Sequence, residues 1–246
     1  MPNAARLSDA SADKSLEPWL LAIVDFINEN TQPARMPLLP EIELRLAPDS
    51  VLLWDKIERN FTGRRVGAPY WAFAWAGGQA LARYILDHPD LVAGRRVLDI
   101  ASGSGLVAIA AAKAGAKHVI ANDVDLLSVV ALSINAGVNN SPIEANSADL
   151  LADDSPLDPA NIDVLLLGDV FYEPDLGSRA CALMQRCRAA GCLVLSGDPG
   201  RALLPANLLT KVGEYRVPVT RDCQYISSNG DRPGLDILIG TIWTPS

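Results

Sequence analysis

The chain has 246 residues, of which 49% are hydrophobic and 20% charged, with a formal net charge of −8. That length and apolar content suit one large α/β domain with a small addition and exclude global disorder, and no apolar run reaches the roughly 18–20 residues that span a bilayer. The acidic balance, with Lys and Arg scattered, argues against nucleic acid as the main partner and favours a basic segment of another protein.

The opening "MPNAARLSDASADKSLEP" has no apolar core and carries acids, so a bacterial cytoplasm is the expected location and a mitochondrial matrix the less favoured one. Residues 1–14 read as a tail. "SLEPWLLAIVDFINEN" places Leu20, Ile23, Val24 and Ile27 at helical spacing, with Ser15 as N-cap and Pro18 in the first turn. "PEIELRLAP" alternates Ile42, Leu44 and Leu46, which predicts a short strand. Residues 1–65 therefore read as a tail plus an extension of one helix and one strand, a lid or substrate-facing addition. Residues 66–246 read as the catalytic domain.

From Trp75 onward helices and strands alternate. Ala80, Leu81, Tyr84 and Ile85 form a helical stripe that ends before Pro89. Strands are expected near 96–101, 117–122, 143–147, 162–168 and 191–197, with helices near 105–114, 126–138 and 175–189. Short β runs separated by helices of this length predict a mostly parallel sheet covered on both faces. "YRVPVTRD" and "LDILIGTIW", with no long helix between them, predict a hairpin added to that sheet. Cys181, Cys187, Cys192 and Cys223 include no C-x-x-C pair. With only His88 and His118 to assist, they predict reduced thiols in or near the core and no metal.

"VLDIASGSGLVAIAAAKAGAKHVIAND" is a strand, a glycine turn, a helix and a second strand ending in Asp123. Ligands collect at the carboxyl ends of such strands. Gly103 and Gly105 permit the sharp turn and a close backbone approach, and Asp123 can accept hydrogen bonds from ribose hydroxyls. Gly103, Gly105 and Ala108 also satisfy G-x-G-x-x-A, so a nicotinamide dinucleotide and S-adenosylmethionine both fit. The balance tips to the latter because Asp99 lies inside the first strand. There a buried carboxylate needs a positive or hydrogen-bonding partner and would repel a pyrophosphate. A helix normally precedes this strand, and neither histidine stands out as a hydride-transfer acid. "SAD" ends the next strand, where Asp149 could receive an adenine amino group. "LLLGDVFYEP" then runs off the following strand through Gly168 into Asp169 and Tyr172, at the tip facing the reactive end of the cofactor, so a catalytic or substrate-orienting role is expected of Asp169, with helix capping as the plainer alternative.

These residues resemble motif I and the ribose acid of class I S-adenosylmethionine-dependent methyltransferases. "PYWAFAWAGGQALARYILDHP", "ANDVD", "LLLGDVFYEPDL" and "SGDPGR" together resemble the seven-β-strand lysine methyltransferases of family 16, over roughly 66–246. The resemblance implies a Rossmann-like sheet of order 3-2-1-4-5-7-6 with the last strand antiparallel. It further implies protein-lysine methylation with S-adenosylmethionine as cofactor, and the β subunit of electron transfer flavoprotein as partner. It carries a D/E-x-x-Y motif to Asp169 and Tyr172 as catalytic residues. Trp75, Asp99, Gly103, Gly105, Asp123, Asp149 and Gly168 become cofactor neighbours. Ala76 and Ala101 depart from it, standing where relatives have proline and glycine. On this basis Asp169 attracts and orients a lysine, Tyr172 aims its lone pair, and Trp75 and Tyr172 wall the pocket by cation–π contact. Trp54 and Trp243 are expected to be structural, about half of the cluster Tyr70, Trp71, Phe73, Trp75, Phe171 and Tyr172 is expected to be core, and a monomer is the expected state. An NAD-dependent oxidoreductase and a non-catalytic flavoprotein-binding module are the competing readings.

Overall fold

A computed structural model describes residues 13–61, 67–219 and 236–246. Its frame is a seven-stranded sheet built from β3 (Arg96–Ile100), β4 (His118–Asn122), β5 (Glu144–Asn146), β6 (Val164–Gly168), β7 (Leu193–Asp198), β8 (Leu209–Val219) and β9 (Asp236–Pro245). The spatial order is β5-β4-β3-β6-β7-β9-β8, and every adjacent pair is parallel except those made by β9. This is the order that the resemblance implies, with the closing strand reversed. The strands are legible because buried parallel strands are continuous apolar runs: Val164, Leu165, Leu166 and Leu167 of β6 are all 0% exposed. "YRVPVTRD" forms the end of a longer strand that begins at Leu209, and its last residues, with Cys223, lie outside the described ones. Cys187 and Cys192 are buried free thiols.

The helices α3 (Ala76–Asp87), α4 (Leu106–Lys113), α5 (Leu126–Val138) and α6 (Pro174–Ala189) cover the two faces. The N-terminal stretch holds more than one helix and one strand. It comprises α1 (Asp13–Asn30), a hairpin of β1 (Gln32–Met36) with β2 (Leu39–Leu46), and α2 (Ser50–Asn60). On α1 the buried stripe is Ile23, Phe26 and Ile27, while Leu20 faces outward. On α2, Asp49 caps the first turn by accepting from the Leu52 N–H at 2.9 Å, and Leu53 and Ile57 point inward. Trp54 is 44% exposed, bonded through Nε1 to Glu58, so it is a surface residue and not a core one.

The described residues 13–61 of this extension do not stand over the catalytic face. Ile42 and Leu44 of β2 pack with Ala82, Ile109 and Ala110 of α3 and α4, and Ile23, Ile27 and Leu53 join the core that contains Trp71 and Leu81. The open edge of β2 is closed by amide side chains of α5. Asn135 accepts from the Arg45 N–H at 2.8 Å, and Asn139 accepts from the Glu43 N–H at 3.1 Å while donating to the Glu43 carbonyl at 2.6 Å. Two asparagines thus satisfy strand groups that no second strand among the described residues reaches. The described part of this extension thus forms a brace behind the cofactor turn.

Candidate active site

The carboxyl ends of β3, β4, β6 and β7 open into one cleft of about 950 Å³, and none of the described residues 13–61 lines it. Its floor is the turn after β3. Ala101 and Gly103 both take left-handed backbone, with φ of 52° and 53°. That conformation is unfavourable for Ala101 and would suit the glycine that the family resemblance implies there. Gly103 presents bare backbone to the cleft, and its N–H donates to Asp123 at 2.9 Å. Gly105, at φ 82°, starts α4 and faces away; a Cβ there would come within 3.0 Å of Leu132. Among the described residues it lines no part of the cleft, so its place is in helix–helix packing. The Ser104 carbonyl accepts from Asn135 at 2.8 Å, which ties the turn to the same side chain that holds β2.

Asp99 is 1% exposed on the cleft wall. One of its oxygens accepts from the Ser102 hydroxyl and from the Ala108 N–H at 3.1 Å. The other, Oδ1, has no hydrogen-bond partner among the described residues. Burial pushes this carboxyl up to about 7, against the pull of its two donors. Asp123 is also pushed up by burial, and both of its oxygens hold backbone, at Gly103 and at Asp125. Each keeps a further lone pair for a ligand hydroxyl. Asp149, at the cleft rim, is taken by Arg179 through both oxygens at 2.6 Å, which holds it below the ordinary carboxylate range. An adenine amino group would have to share it with that guanidinium.

The opposite wall is the segment after β6. Gly168 lets β6 approach α3: a Cβ would lie 3.1 Å from both Gly78 Cα and Val107 Cγ2. A Cβ on Gly77 would overlap the Gly197 carbonyl of β7, so the first turn of α3 rests directly on the strand tips. That contact brings the Gly77 N–H to Oδ2 of Asp169 at 3.1 Å. Asp169 therefore does cap a helix, but it is α3 and not the following α6, and its carboxylate sits at the positive end of the α3 dipole. Asp169 sits at φ 63°, 4% exposed, a left-handed turn that Asp tolerates better than most residues and that throws its side chain back toward the sheet.

Its second oxygen, Oδ1, accepts from Arg201 Nε at 2.7 Å. Composition and motif reading did not single out Arg201. The available signal was "DPGR": Asp198 accepts from the Gly200 and Arg201 N–H groups at 2.6 and 2.7 Å, an Asx turn that carries Arg201 from the end of β7 across to Asp169. Burial pushes Asp198 up to about 6, and its Oδ2 has no partner among the described residues.

Three aromatic residues complete this end. Tyr70 lies 4.9 Å from Tyr172 and 5.8 Å from Trp75, ring centre to ring centre, and the Trp75 Nε1–H donates to the Tyr70 carbonyl at 2.8 Å. The Arg201 guanidinium stands 5.8 Å from the Trp75 ring centre. Tyr70, Trp75 and Tyr172 are half-buried around the cleft, while Trp71 and Phe171 are fully buried and Phe73 is nearly so. Burial raises the Tyr172 phenol well above its ordinary value, so it stays protonated as a donor. The structure thus brings Asp99, Gly103, Asp123, Asp149, Gly168, Asp169, Tyr172 and Trp75 to one cleft and adds Arg201 to them.

A family profile described as "Ribosomal protein L11 methyltransferase (PrmA)" matches residues 80–170. The electron transfer flavoprotein beta subunit lysine methyltransferase of Xenopus laevis is 39% identical over 72% of this chain and 70% of its own length. The protein of that name from Homo sapiens is 38% identical over 83% of this chain and 77% of its own length. Among solved structures, the 16S rRNA N2 G1207 methyltransferase of T. thermophilus superposes with a TM-score of 0.52 at 16% identity, over 88% of this chain and 50% of that one. That superposition speaks for the fold, and the two sequence relatives for the family. The chain belongs to the family of electron transfer flavoprotein beta subunit lysine methyltransferases.

Proposed function

We propose that this protein is a protein-lysine N-methyltransferase that uses S-adenosylmethionine and acts on the β subunit of electron transfer flavoprotein. The relatives' names supply the activity and the substrate. One observation carries the reading into this chain: Asp99 and the 101–104 turn share a single cleft with Asp169 and Tyr172. The residues fit the cofactor. The buried, partnerless Oδ1 of Asp99 calls for a cationic or N–H group, Gly103 leaves bare backbone, and Asp123 keeps lone pairs for hydroxyls. A pyrophosphate beside that carboxylate would be repelled, so a dinucleotide finds no support here.

When bound, S-adenosylmethionine supplies an electrophilic sulfonium methyl and a fixed positive charge. The chain's own residues handle the amine. A free lysine has a pKa of about 10.4 and is almost wholly protonated near neutral pH, with no lone pair to offer. The Tyr70, Trp75 and Tyr172 rings strip water from it, which favours the neutral form. Asp169, fixed by the α3 N-terminus, accepts a hydrogen bond from the incoming nitrogen and sets its approach. The Tyr172 hydroxyl holds a second direction, and the amine proton leaves to water. Alignment of this kind supplies several kcal/mol of barrier reduction.

The test is incubation of the full chain with S-adenosylmethionine and purified electron transfer flavoprotein, followed by peptide mass spectrometry. Methyl increments on lysines of the β subunit are expected. Tight flavoprotein binding with no increment would turn the reading to a non-catalytic module.

A further inference from the structure

Asp169 poses a problem for the reaction it faces. A lone carboxylate beside the acceptor would hold the lysine as ammonium, the form that cannot react. The cleft already answers that charge with a cation of its own. Arg201 Nε meets Asp169 Oδ1 at 2.7 Å, with Asp169 almost fully buried, and its guanidinium lies against Trp75 on the aromatic side. The Asx turn at 198–201 fixes the Arg201 backbone, so the pairing is built in and not an accident of a long surface side chain.

Among the described residues, the groups facing this pair are otherwise acidic or neutral. They are Asp198 from the end of β7, Tyr70 from the turn before α3, Tyr172 and Glu173 from the segment after β6, and Asp123 from the end of β4. Arg179, the other arginine lining the described cleft, is engaged by Asp149 at the rim. Without Arg201 the described residues of the acceptor end would carry unbalanced carboxylates.

We propose that Arg201 balances the charge of the acceptor pocket. By pairing with Asp169 it leaves the carboxylate free to align the nitrogen but not to trap it as ammonium, so the bound lysine gives up its proton to water at lower pH. This inference rests on the lysine methyltransferase reading.

The test compares Arg201→Gln and Arg201→Lys with the wild-type chain in two measurements. The first is the affinity for electron transfer flavoprotein by calorimetry, in the presence of S-adenosylhomocysteine so that no turnover occurs. The second is kcat as a function of pH. Arg201→Gln is expected to bind the protein several-fold more tightly, because the unpaired charge of Asp169 now holds the ammonium. Its kcat near neutral pH falls about tenfold, and the rising limb of its kcat–pH curve moves up by about one pH unit. Arg201→Lys restores the limb. A variant carrying both Asp169→Asn and Arg201→Gln leaves no buried charge unpaired and guards against misfolding; it should keep the wild-type limb with a lower plateau. A curve for Arg201→Gln that is lowered equally at every pH, tighter binding with unchanged kcat, or a raised limb in the double variant would overturn the proposal. A wild-type chain that methylates nothing would instead remove the functional reading beneath it.

Discussion

Replacing Asp99 by asparagine separates stability from cofactor binding. The carboxyl is wholly buried, and its value rises from 3.8 to about 7 because burial outweighs the Ser102 and Ala108 donors. At about 1.36 kcal/mol per pH unit, that difference corresponds to about 4 kcal/mol of folding free energy. The sign follows from proton counting: between pH 3.8 and 7 the folded chain binds more protons than the unfolded one, so stability falls as pH rises through that window and levels off above it. The amide of Asp99→Asn carries no charge to bury and keeps an acceptor for the Ala108 N–H. The variant without cofactor should therefore unfold at higher denaturant than wild type at pH 8, by up to about 4 kcal/mol, and match it near pH 4. Cofactor binding should move the other way. The ionised Oδ1 is the form that answers a cationic ligand group, so wild-type affinity for S-adenosylhomocysteine should rise up to tenfold per pH unit below about 7 and flatten above. Asp99→Asn should bind more weakly and without that slope. Denaturant melts and calorimetry from pH 4 to 8.5 measure both. Equal stability of the two proteins at pH 8, or a variant that keeps the slope, would refute the reasoning.

Gly77→Ala puts a Cβ into the Gly197 carbonyl, so α3 must lift from the strand tips and release Asp169; a loss of about 3 kcal/mol is expected, read as a fall of roughly 6–12 °C in thermal melting. A melt within about 2 °C of wild type would show that the contact yields. Asn135→Leu removes the bonds to Ser104 and Arg45 together and leaves both backbone groups unpaired. It should cost about 2–4 kcal/mol and weaken S-adenosylhomocysteine binding more than stability alone explains, since it frees the cofactor turn; unchanged affinity in a destabilised variant would confine Asn135 to the brace.

Much of this architecture can be read from residue order. Val164–Leu167 reads as a doubly covered strand between its helical neighbours, and Gly103 with Asp123 marks the strand tips where a ligand gathers. The strand order beyond those tips came from family resemblance, because periodicity says nothing about which strands are neighbours. The N-terminal brace was half legible. "DSVLLWDKIERN" carries a capping Asp49 with Leu53 and Ile57 four apart, a helix by ordinary rules, whereas β1 shows no alternation because it is an edge strand with one buried residue. The partners of the acids were the least legible part. Arg179 reaches Asp149 across 30 positions and Arg201 reaches Asp169 across 32, and only folding reveals such pairings. They change the local chemistry: both carboxylates read as open to ligands prove to hold arginines already.

The claim on which all of this depends is that an amine is methylated at the tip of β6, beside Asp169. Transfer of label from S-adenosylmethionine to the β subunit of electron transfer flavoprotein, measured for the wild-type chain and for Asp169→Asn together with the affinity of each for S-adenosylhomocysteine, tests it most directly. The account predicts lysine labelling by the wild type and about a hundredfold slower turnover for Asp169→Asn, with cofactor affinity altered less than about threefold. Undiminished labelling by Asp169→Asn would contradict it.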